Sequence, residues 1–153
     1  MLIQKYDDAE TCLKKAIQFK GDMKEAHNDL VTVLRKKGDN KAALKVCEQA
    51  LEKHKNDDTL HRNKGNILYA LDEPEKALEA FEAALDLNPH VVDTWVNKGT
   101  VLWKAMELRD EALAAFDKAL EINPNFMAAV DSRISLEAEI KANQPGFFKR
   151  IFG

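Results

Sequence analysis

Apolar residues recur every three or four positions along most of the chain, which is the spacing of one face of an α-helix. This periodicity is interrupted at residues that favour turns: Gly38-Asp39, Asp72-Glu73-Pro74, Asn88-Pro89 and Asn123-Pro124. A proline suits the first turn of a helix, because the N–H that it lacks would have no partner there. The pattern therefore predicts an almost wholly α-helical chain whose helices are separated at these four places.

One arrangement of residues returns three times, in the segments 24–57, 58–91 and 92–126. Each segment carries a large residue four positions before a small or β-branched one. An alanine, then an aromatic residue or cysteine, then a second alanine follow. Small residues allow two helices to approach closely, so the pattern predicts a helical hairpin repeated in register. The matching residues are His27, Val31, Ala43, Cys47 and Ala50; His61, Gly65, Ala77, Phe81 and Ala84; and Trp95, Gly99, Ala112, Phe116 and Ala119.

These positions resemble the signature of the tetratricopeptide repeat family, whose unit is a helix–turn–helix of about 34 residues. The resemblance covers about Tyr6 to Lys141, and its best run extends from Trp95 to Pro124. It implies an all-α fold, a right-handed α-solenoid of antiparallel helix pairs. We expect one domain over residues 1–143, composed of a half repeat 1–23, full repeats 24–57, 58–91 and 92–126, and a capping helix 127–143.

The two ends and the third repeat depart from the family pattern. Residues 6–19 match only the second helix of a repeat, so Tyr6, Leu13 and Ile17 are expected to lack the cover of a partner helix. The third repeat is one residue longer than the second, and we place the extra residue near 105–108. The segment 126–141 is expected to be a solvating C-terminal helix with one apolar side, formed by Ala129, Val130, Ile134, Leu136 and Ile140.

Composition and charge narrow the class of function. The 153 residues include 23 Lys and Arg against 26 Asp and Glu, a formal charge of -3, which disfavours nucleic acid as the main partner. No apolar run is long enough to span a membrane, and the opening residues MLIQKYDDAE do not resemble a signal peptide. The two cysteines lack a CxxC spacing, which favours a reducing compartment and predicts a cytoplasmic protein.

No group of residues predicts catalysis. We expect His27 and His61 to be packing residues of the first helices, and His54 to lie on a solvated loop with a single carboxylate nearby. Cys12 and Cys47 are expected to be buried as small apolar side chains at helix crossings. Phosphate-binding loops and nucleophile elbows do not occur in the sequence. The prediction is a protein that is not an enzyme, with no catalytic residues, no metal site and no cofactor.

The first helix of each hairpin is expected to line a concave face. Helical spacing assigns to this face the residues opposite the packing side, and their amide, guanidinium and aromatic groups suit recognition of a peptide. We therefore predict a non-catalytic interaction module or scaffold that binds a peptide segment of a partner protein in this groove. The residues are Glu25, Asn28, Thr32, Arg35, Arg62, Asn66, Tyr69, Val96, Thr100 and Trp103.

A finer prediction concerns the end of that peptide. In relatives of the family that bind acidic C-terminal tails of chaperones, a basic residue, an asparagine one turn later and an asparagine of the next repeat hold the terminal carboxylate. Arg62, Asn66 and Asn97 resemble these three residues. Two further basic residues of the pattern are replaced by Asp131 and Ser135, so the resemblance implies half of this clamp. The alternative is that Arg62 pairs with a neighbouring acid at the surface.

The segment 144–153 differs from the rest of the chain because it combines aromatic and basic residues. Its candidate contact residues are Phe147, Phe148, Lys149, Arg150 and Phe152. Such a patch needs a partner, and three interpretations stay open: docking onto the same chain, insertion into a neighbouring molecule, and a weak membrane or protein contact. The second functional hypothesis is self-assembly, in which the open N-terminal helix and this tail form a weak homodimer.

Overall fold

The computed structural model describes residues 2–20 and 23–143. These ranges fold into eight helices without a strand, and the all-α prediction is confirmed. None of the eight is both long enough and apolar enough to cross a membrane. The helices are α1 (Leu2–Lys20), α2 (Lys24–Lys36), α3 (Asn40–Lys53), α4 (Asp58–Ala70), α5 (Pro74–Leu87), α6 (Val92–Lys104), α7 (Arg109–Ile122) and α8 (Met127–Ala142).

The helices begin and end at the turn-forming residues. The side chain of Asp39 accepts a hydrogen bond from the backbone N–H of Ala42 at 3.0 Å, at the start of α3. Asp57 does the same for Leu60 at 2.8 Å, at the start of α4. Each carboxylate thereby satisfies an N–H group that has no partner within its own helix. Pro74 is the first residue of α5, as expected.

A residue with a positive φ lies in the turn of each hairpin: Gly38 at 81°, Asp72 at 62° and Glu107 at 57°. Glycine adopts this conformation freely, whereas the β-carbons of Asp72 and Glu107 make it costly. These turns bring α2 against α3, α4 against α5, and α6 against α7, which are the three predicted hairpins.

The extra residue of the third repeat lies in its turn, as predicted. Four residues, 105–108, separate α6 from α7, whereas the three residues 71–73 separate α4 from α5. The N–H of Leu108 donates to the carbonyl of Leu102 at 2.9 Å, six positions back. In the second hairpin Glu73 donates to Leu68 at 2.9 Å, five positions back. The insertion therefore widens the turn and leaves the helices unchanged.

The chain divides into two compact units between Pro89 and His90, and the first unit contains α1 to α5. Leu13 and Ile17 of α1 pack against its core. The expectation that these two side chains lack cover is therefore wrong, because the hairpin that follows α1 supplies it. One large apolar side chain of α1 stays open to solvent, that of Phe19, which is 83% exposed. The core consists of Leu30, Val31, Leu34, Ala43, Cys47, Ala50, Leu60 and Ile67.

A phenylalanine ring fills the space beside a glycine in two of the hairpins. A β-carbon placed at Gly65 would lie 2.6 Å from Cε1 of Phe81, and one at Gly99 would lie 2.6 Å from Cε1 of Phe116. No side chain fits at such a distance without movement of the ring. Glycine is thus required by the close approach of the helices, as the repeat pattern predicted.

The second unit contains α6, α7 and α8, and the predicted C-terminal helix packs on both of the others. Ala129 and Leu136 on α8 are fully buried, in agreement with the prediction of one apolar side. Ile134 was assigned to the same side and is instead 57% exposed. Position 134 lies about 200° around the helix from position 136, because each residue turns by about 100°. The assignment of Ile134 to the packed side is therefore wrong.

Candidate functional site

Two asparagines join the first helices of neighbouring hairpins in the first unit. The Nδ2 of Asn63 on α4 donates to the Oδ1 of Asn28 on α2 at 3.1 Å. Asn63 is buried and Asn28 is half-buried. A hydrogen bond between buried amides is specific in direction, so it fixes how α2 and α4 lie against each other. Asn28 was a predicted groove residue, whereas Asn63 was not.

Arg35 on α2 and Arg62 on α4 bring two positive charges to the same face. Both residues are half-buried. Burial, and then the charge of Arg62, lower the pKa of the Arg35 guanidinium. The Nε of Arg62 is shielded from solvent and has no hydrogen-bond acceptor. The two side chains therefore form a site of positive charge with unused donors, which we call the arginine pair.

No carboxylate neutralises the arginine pair within residues 2–20 and 23–143. The alternative in which Arg62 pairs with a surface acid is thus not what these residues do. Arg133 on α8 offers a contrast, because it contacts Asp117 at 2.6 Å and Glu137 at 2.9 Å. Cations elsewhere on the molecule have acidic partners, while Arg35 and Arg62 keep donors for a ligand.

The other predicted residues of this face border a cleft. A cleft of about 340 Å³ is lined by Thr32, Arg35 and Lys36 of α2 together with Asn40 and Ala70. The hydroxyl of Thr32 donates to the carbonyl of Asn28 at 3.0 Å, so its proton is already engaged within α2. The ring of Tyr69 is partly exposed, and Asn66 is half-buried. The cleft therefore combines open polar surface with the guanidinium of Arg35.

The predicted groove residues of the second unit are more strongly engaged. Trp103 donates its indole N–H to Glu139 of α8 at 2.8 Å, and its ring meets that of Phe116 edge-on. The ammonium of Lys104 lies 3.1 Å from the centre of the Trp103 ring. The indole is thus not the free aromatic anchor that the sequence predicted, because Glu139, 36 residues further along the chain, takes its N–H.

Val96 also differs from its prediction as a groove residue. Its side chain is only 9% exposed, so it contributes packing and little contact surface. Thr100 is half-buried and donates to the carbonyl of Val96 at 2.8 Å. Asn97 lies on α6 of the second unit, whereas its predicted companions Arg62 and Asn66 lie on α4 of the first. The carboxylate clamp stays a prediction.

The histidines and cysteines do not assemble a reactive centre in the described residues. His27 is buried with its ring edge-on to His54, and His61 contacts the carbonyl of Lys55 at 2.8 Å through Nε2. In residues 2–20 and 23–143 no three side chains of the metal-binding types lie close enough to hold an ion.

The two cysteines lie in different environments. Cys47 is buried, its thiol donates to the carbonyl of Leu60 at 3.2 Å, and burial raises the pKa of this thiol to about 12. Cys12 is exposed, so the expectation that it is buried at a helix crossing is wrong. It lies on the solvent side of α1, where no preceding helix covers it. The tail residues Phe147, Phe148, Lys149, Arg150 and Phe152 lie outside the described residues.

Sequence reasoning missed Asn63 and Glu139, which position α4 and α8. Both lie at ordinary helical positions, and only their long-range partners reveal their roles. An asparagine among the packing positions of a helix is the single signal that was available for Asn63, because a buried amide requires a partner.

Comparisons with known proteins agree with the repeat pattern. The sequence profile of the tetratricopeptide repeat family matches residues 3–58 and 62–125. A comparison with curated protein sequences finds no match. Among solved structures, the chain is similar to MamA, with a TM-score of 0.79 and 21% identity over 88% of this chain and 78% of that chain.

Two further solved structures carry bound or named peptides. YrrB, described as a TPR protein with an unusual peptide-binding site, has a TM-score of 0.75 and 28% identity, over 85% of this chain and 66% of that chain. The first TPR of Spaghetti (RPAP3), bound to the HSP90 peptide SRMEEVD, has a TM-score of 0.72 and 16% identity, over 76% and 92% of the two chains.

Proposed function

The chain belongs to the tetratricopeptide repeat family, and from this premise we propose that it is a non-catalytic interaction module whose α2–α4 face binds an acidic peptide segment of a partner protein. The observation that carries the proposal is the arginine pair. Its two guanidinium groups are half-buried, close enough to repel each other, and without a carboxylate partner in the described part of the chain.

An acidic ligand answers the electrostatic state of this face. A carboxylate between Arg35 and Arg62 would screen their mutual repulsion and supply an acceptor for the shielded Nε of Arg62. Arginine forks bind carboxylates through two parallel hydrogen bonds, which adds geometric specificity to the attraction. The partly exposed ring of Tyr69, at the end of the same helix, offers apolar contact area beside this charge.

The peptides of similar proteins support the same chemistry. The RPAP3 peptide SRMEEVD contains three acidic residues, and YrrB is described as having a peptide-binding site. We extend the proposal to the end of the peptide, whose terminal carboxylate would be held by Arg62 and Asn66 of α4 with Asn97 of α6. In this proposal Val96 and Trp103 contribute packing, since both are engaged within the second unit.

Titration of a fluorescent acidic peptide tests the proposal. With labelled SRMEEVD as the probe, Arg35→Gln and Arg62→Gln should each raise the Kd about tenfold, the effect of losing one charge-assisted hydrogen bond. Lys118→Gln is the matched control, because it removes one positive charge from α7 and should leave the Kd unchanged. Equal Kd values for all four proteins, or no binding by the wild type at millimolar concentration, would contradict the proposal.

Two altered peptides separate the side chains from the terminus. SRMQQVD removes two carboxylates from the side chains, and an amidated SRMEEVD removes the terminal one. Weaker binding of the first peptide supports acid recognition by the arginine pair. Equal binding of the amidated and free peptides would reject capture of the terminus and leave recognition of the side chains in place.

Self-association and a cytoplasmic location stay predictions. For the first, the apolar side of α1 is used within its own unit, and Phe19 is the large apolar side chain of this helix that is left open. Sedimentation from micromolar to near-millimolar concentration measures it directly.

A further inference from the structure

The solvent side of α8 carries an apolar stripe. Met127, Asp131, Ile134 and Ala138 are spaced at i, i+4, i+7 and i+11, and all four are exposed. Met127 is 64% exposed and Ile134 is 57% exposed, whereas Leu136 on the packed side is fully buried. A large apolar side chain gains free energy on leaving water, so the stripe is a surface that favours a cover.

Comparison of equivalent repeat positions shows what kind of cover this is. Ile134 occupies the position that Gly65 and Gly99 hold on α4 and α6. In those hairpins the second helix covers the position, because the rings of Phe81 and Phe116 lie directly against the two glycines. No helix follows α8 within residues 23–143. Ile134 is therefore a repeat position whose aromatic cover is absent from the described part of the chain.

The residues that follow α8 contain aromatic side chains at the corresponding separation. Phe81 follows Gly65 by 16 residues and Phe116 follows Gly99 by 17. Phe148 and Phe152 follow Ile134 by 14 and 18 residues. The sequence thus continues to place phenylalanine where the repeat requires it, although Pro145 and Gly146 prevent a continuous helix from carrying it.

The distance can be bridged by so short a segment. Positions 134 and 143 are separated by about 14 Å along α8 at the helical rise of about 1.5 Å per residue. Five extended residues, from 143 to 148, reach about 17 Å at about 3.4 Å each. A tether of this length also gives the tail an effective concentration that a separate molecule does not have.

Charge on the two surfaces is complementary. Asp131 lies in the middle of the stripe and has no ion pair within residues 2–20 and 23–143. The tail places Lys149 and Arg150 between its phenylalanines. A basic residue flanked by aromatics matches an acid flanked by Met127 and Ile134. We propose that residues 144–153 fold back on their own chain and cover the Met127–Asp131–Ile134–Ala138 stripe of α8.

Paramagnetic broadening tests this docking in the full chain. A nitroxide is attached at Gly153→Cys in a Cys12→Ser background, where buried Cys47 does not react. Docking predicts a loss of amide signal intensity at residues 127–138 of the isotope-labelled chain, restored when the nitroxide is reduced. The variant Ile134→Ser should abolish this loss. Ile122→Ser, the same change at a partly exposed isoleucine of α7, should not.

Mixed samples distinguish the other occupants. An unlabelled chain that bears the nitroxide is mixed with an isotope-labelled chain that does not. Broadening of α8 in the mixture alone would mean that the tail covers a second copy, and it would overturn the proposal. Undiminished signals at residues 127–138 in both samples would mean that the stripe is left for another protein, and would overturn it as well. An equal effect of Ile134→Ser and Ile122→Ser would remove the stripe as the docking site.

Discussion

Trp103 on α6 and Glu139 on α8 are joined by a hydrogen bond of 2.8 Å from the indole N–H to the carboxylate. Arg109 at the start of α7 donates to the other carboxylate oxygen at 3.0 Å. The hydrogen bonds from Trp103 and Arg109 lower the pKa of Glu139. One carboxylate therefore ties the last helix to both helices of the preceding hairpin.

Removing this carboxylate should loosen α8 selectively. In Glu139→Ala we expect faster amide hydrogen exchange in α8 than in α6 and α7, because apolar contacts alone then hold the helix. Trp103 fluorescence should change as well, since the indole N–H loses its acceptor. Glu121→Ala is the matched control, because Glu121 pairs with Lys118 of its own helix. Unchanged exchange in α8 of Glu139→Ala would contradict this role.

The buried carboxylate of Asp57 should make stability depend on pH. Burial raises the pKa of Asp57, but Lys24 at 2.8 Å and the N–H of Leu60 outweigh it, and the pKa lies below its ordinary value of 3.8. The unfolded chain thus binds the proton more tightly than the folded chain. The carboxylate stabilises the fold above pH 3.8, and this contribution is lost as the pH falls through the folded pKa.

Denaturant unfolding at several pH values checks that expectation. Asp57→Ala should lower the free energy of unfolding by about 1–2 kcal/mol at neutral pH, the cost of a lost N-terminal cap. The difference from the wild type should shrink below the pKa. Asp39→Ala at the start of α3 gives the comparison with an exposed cap, where the loss should be smaller. A constant difference across the acid range would count against the ionised carboxylate.

The arginine pair should cost stability in the absence of ligand. Arg35→Gln removes the repulsion from Arg62 and shortens an arginine that has no acidic partner, so the free energy of unfolding should rise by about 0.5 kcal/mol. Arg133→Gln should have the opposite sign, because Arg133 contacts Asp117 and Glu137. A destabilised Arg35→Gln would show that the guanidinium is held by favourable contacts.

The contact between Gly99 and Phe116 should be visible in a double-mutant cycle. Gly99→Ala places a β-carbon against the ring and should destabilise by about 1–3 kcal/mol, reduced by the better helix propensity of alanine, about 1 kcal/mol. Phe116→Leu leaves room for that carbon. The double variant should therefore lose less than the sum of the single losses, measured by urea unfolding. Strict additivity would show that the two residues do not meet.

The two thiols should differ in reactivity. Cys12 is exposed and should react with a thiol reagent in the native protein at pH 8. Cys47 is buried with a pKa raised to about 12, so it should react only after unfolding. A Cys12→Ser variant should then show no reactive thiol until denaturant is added. Two reactive thiols in the native chain would contradict the burial of Cys47.

Much of the fold was readable because the repeat encodes contacts that are local in sequence. Glycine and phenylalanine 16 or 17 residues apart specify a hairpin, and Gly38 or Pro74 mark where its helices meet. Periodicity also placed Arg35 and Arg62 on one face. The absence of a neutralising acid could not be read from it, because that depends on every helix that packs nearby.

The errors have a common physical origin. The sides of α1 and α8 were assigned from their own spacing, yet both helices lie at the ends of the described fold, where one neighbour is missing. Cys12 and Ile134 are therefore exposed although they belong to apolar positions. Trp103 was assigned to the groove because its partner Glu139 lies 36 residues away, beyond any local pattern.

The wide turn at residues 105–108 bears on how the length of such a chain can change over evolution. The third hairpin has one more residue than the second, yet the ring-to-glycine distance is 2.6 Å in both. An added residue is therefore absorbed as a local loop while the helix register is conserved. The same property makes this turn a practical insertion point, where an epitope or a fluorescent tag can be grafted with little strain on the helices around it.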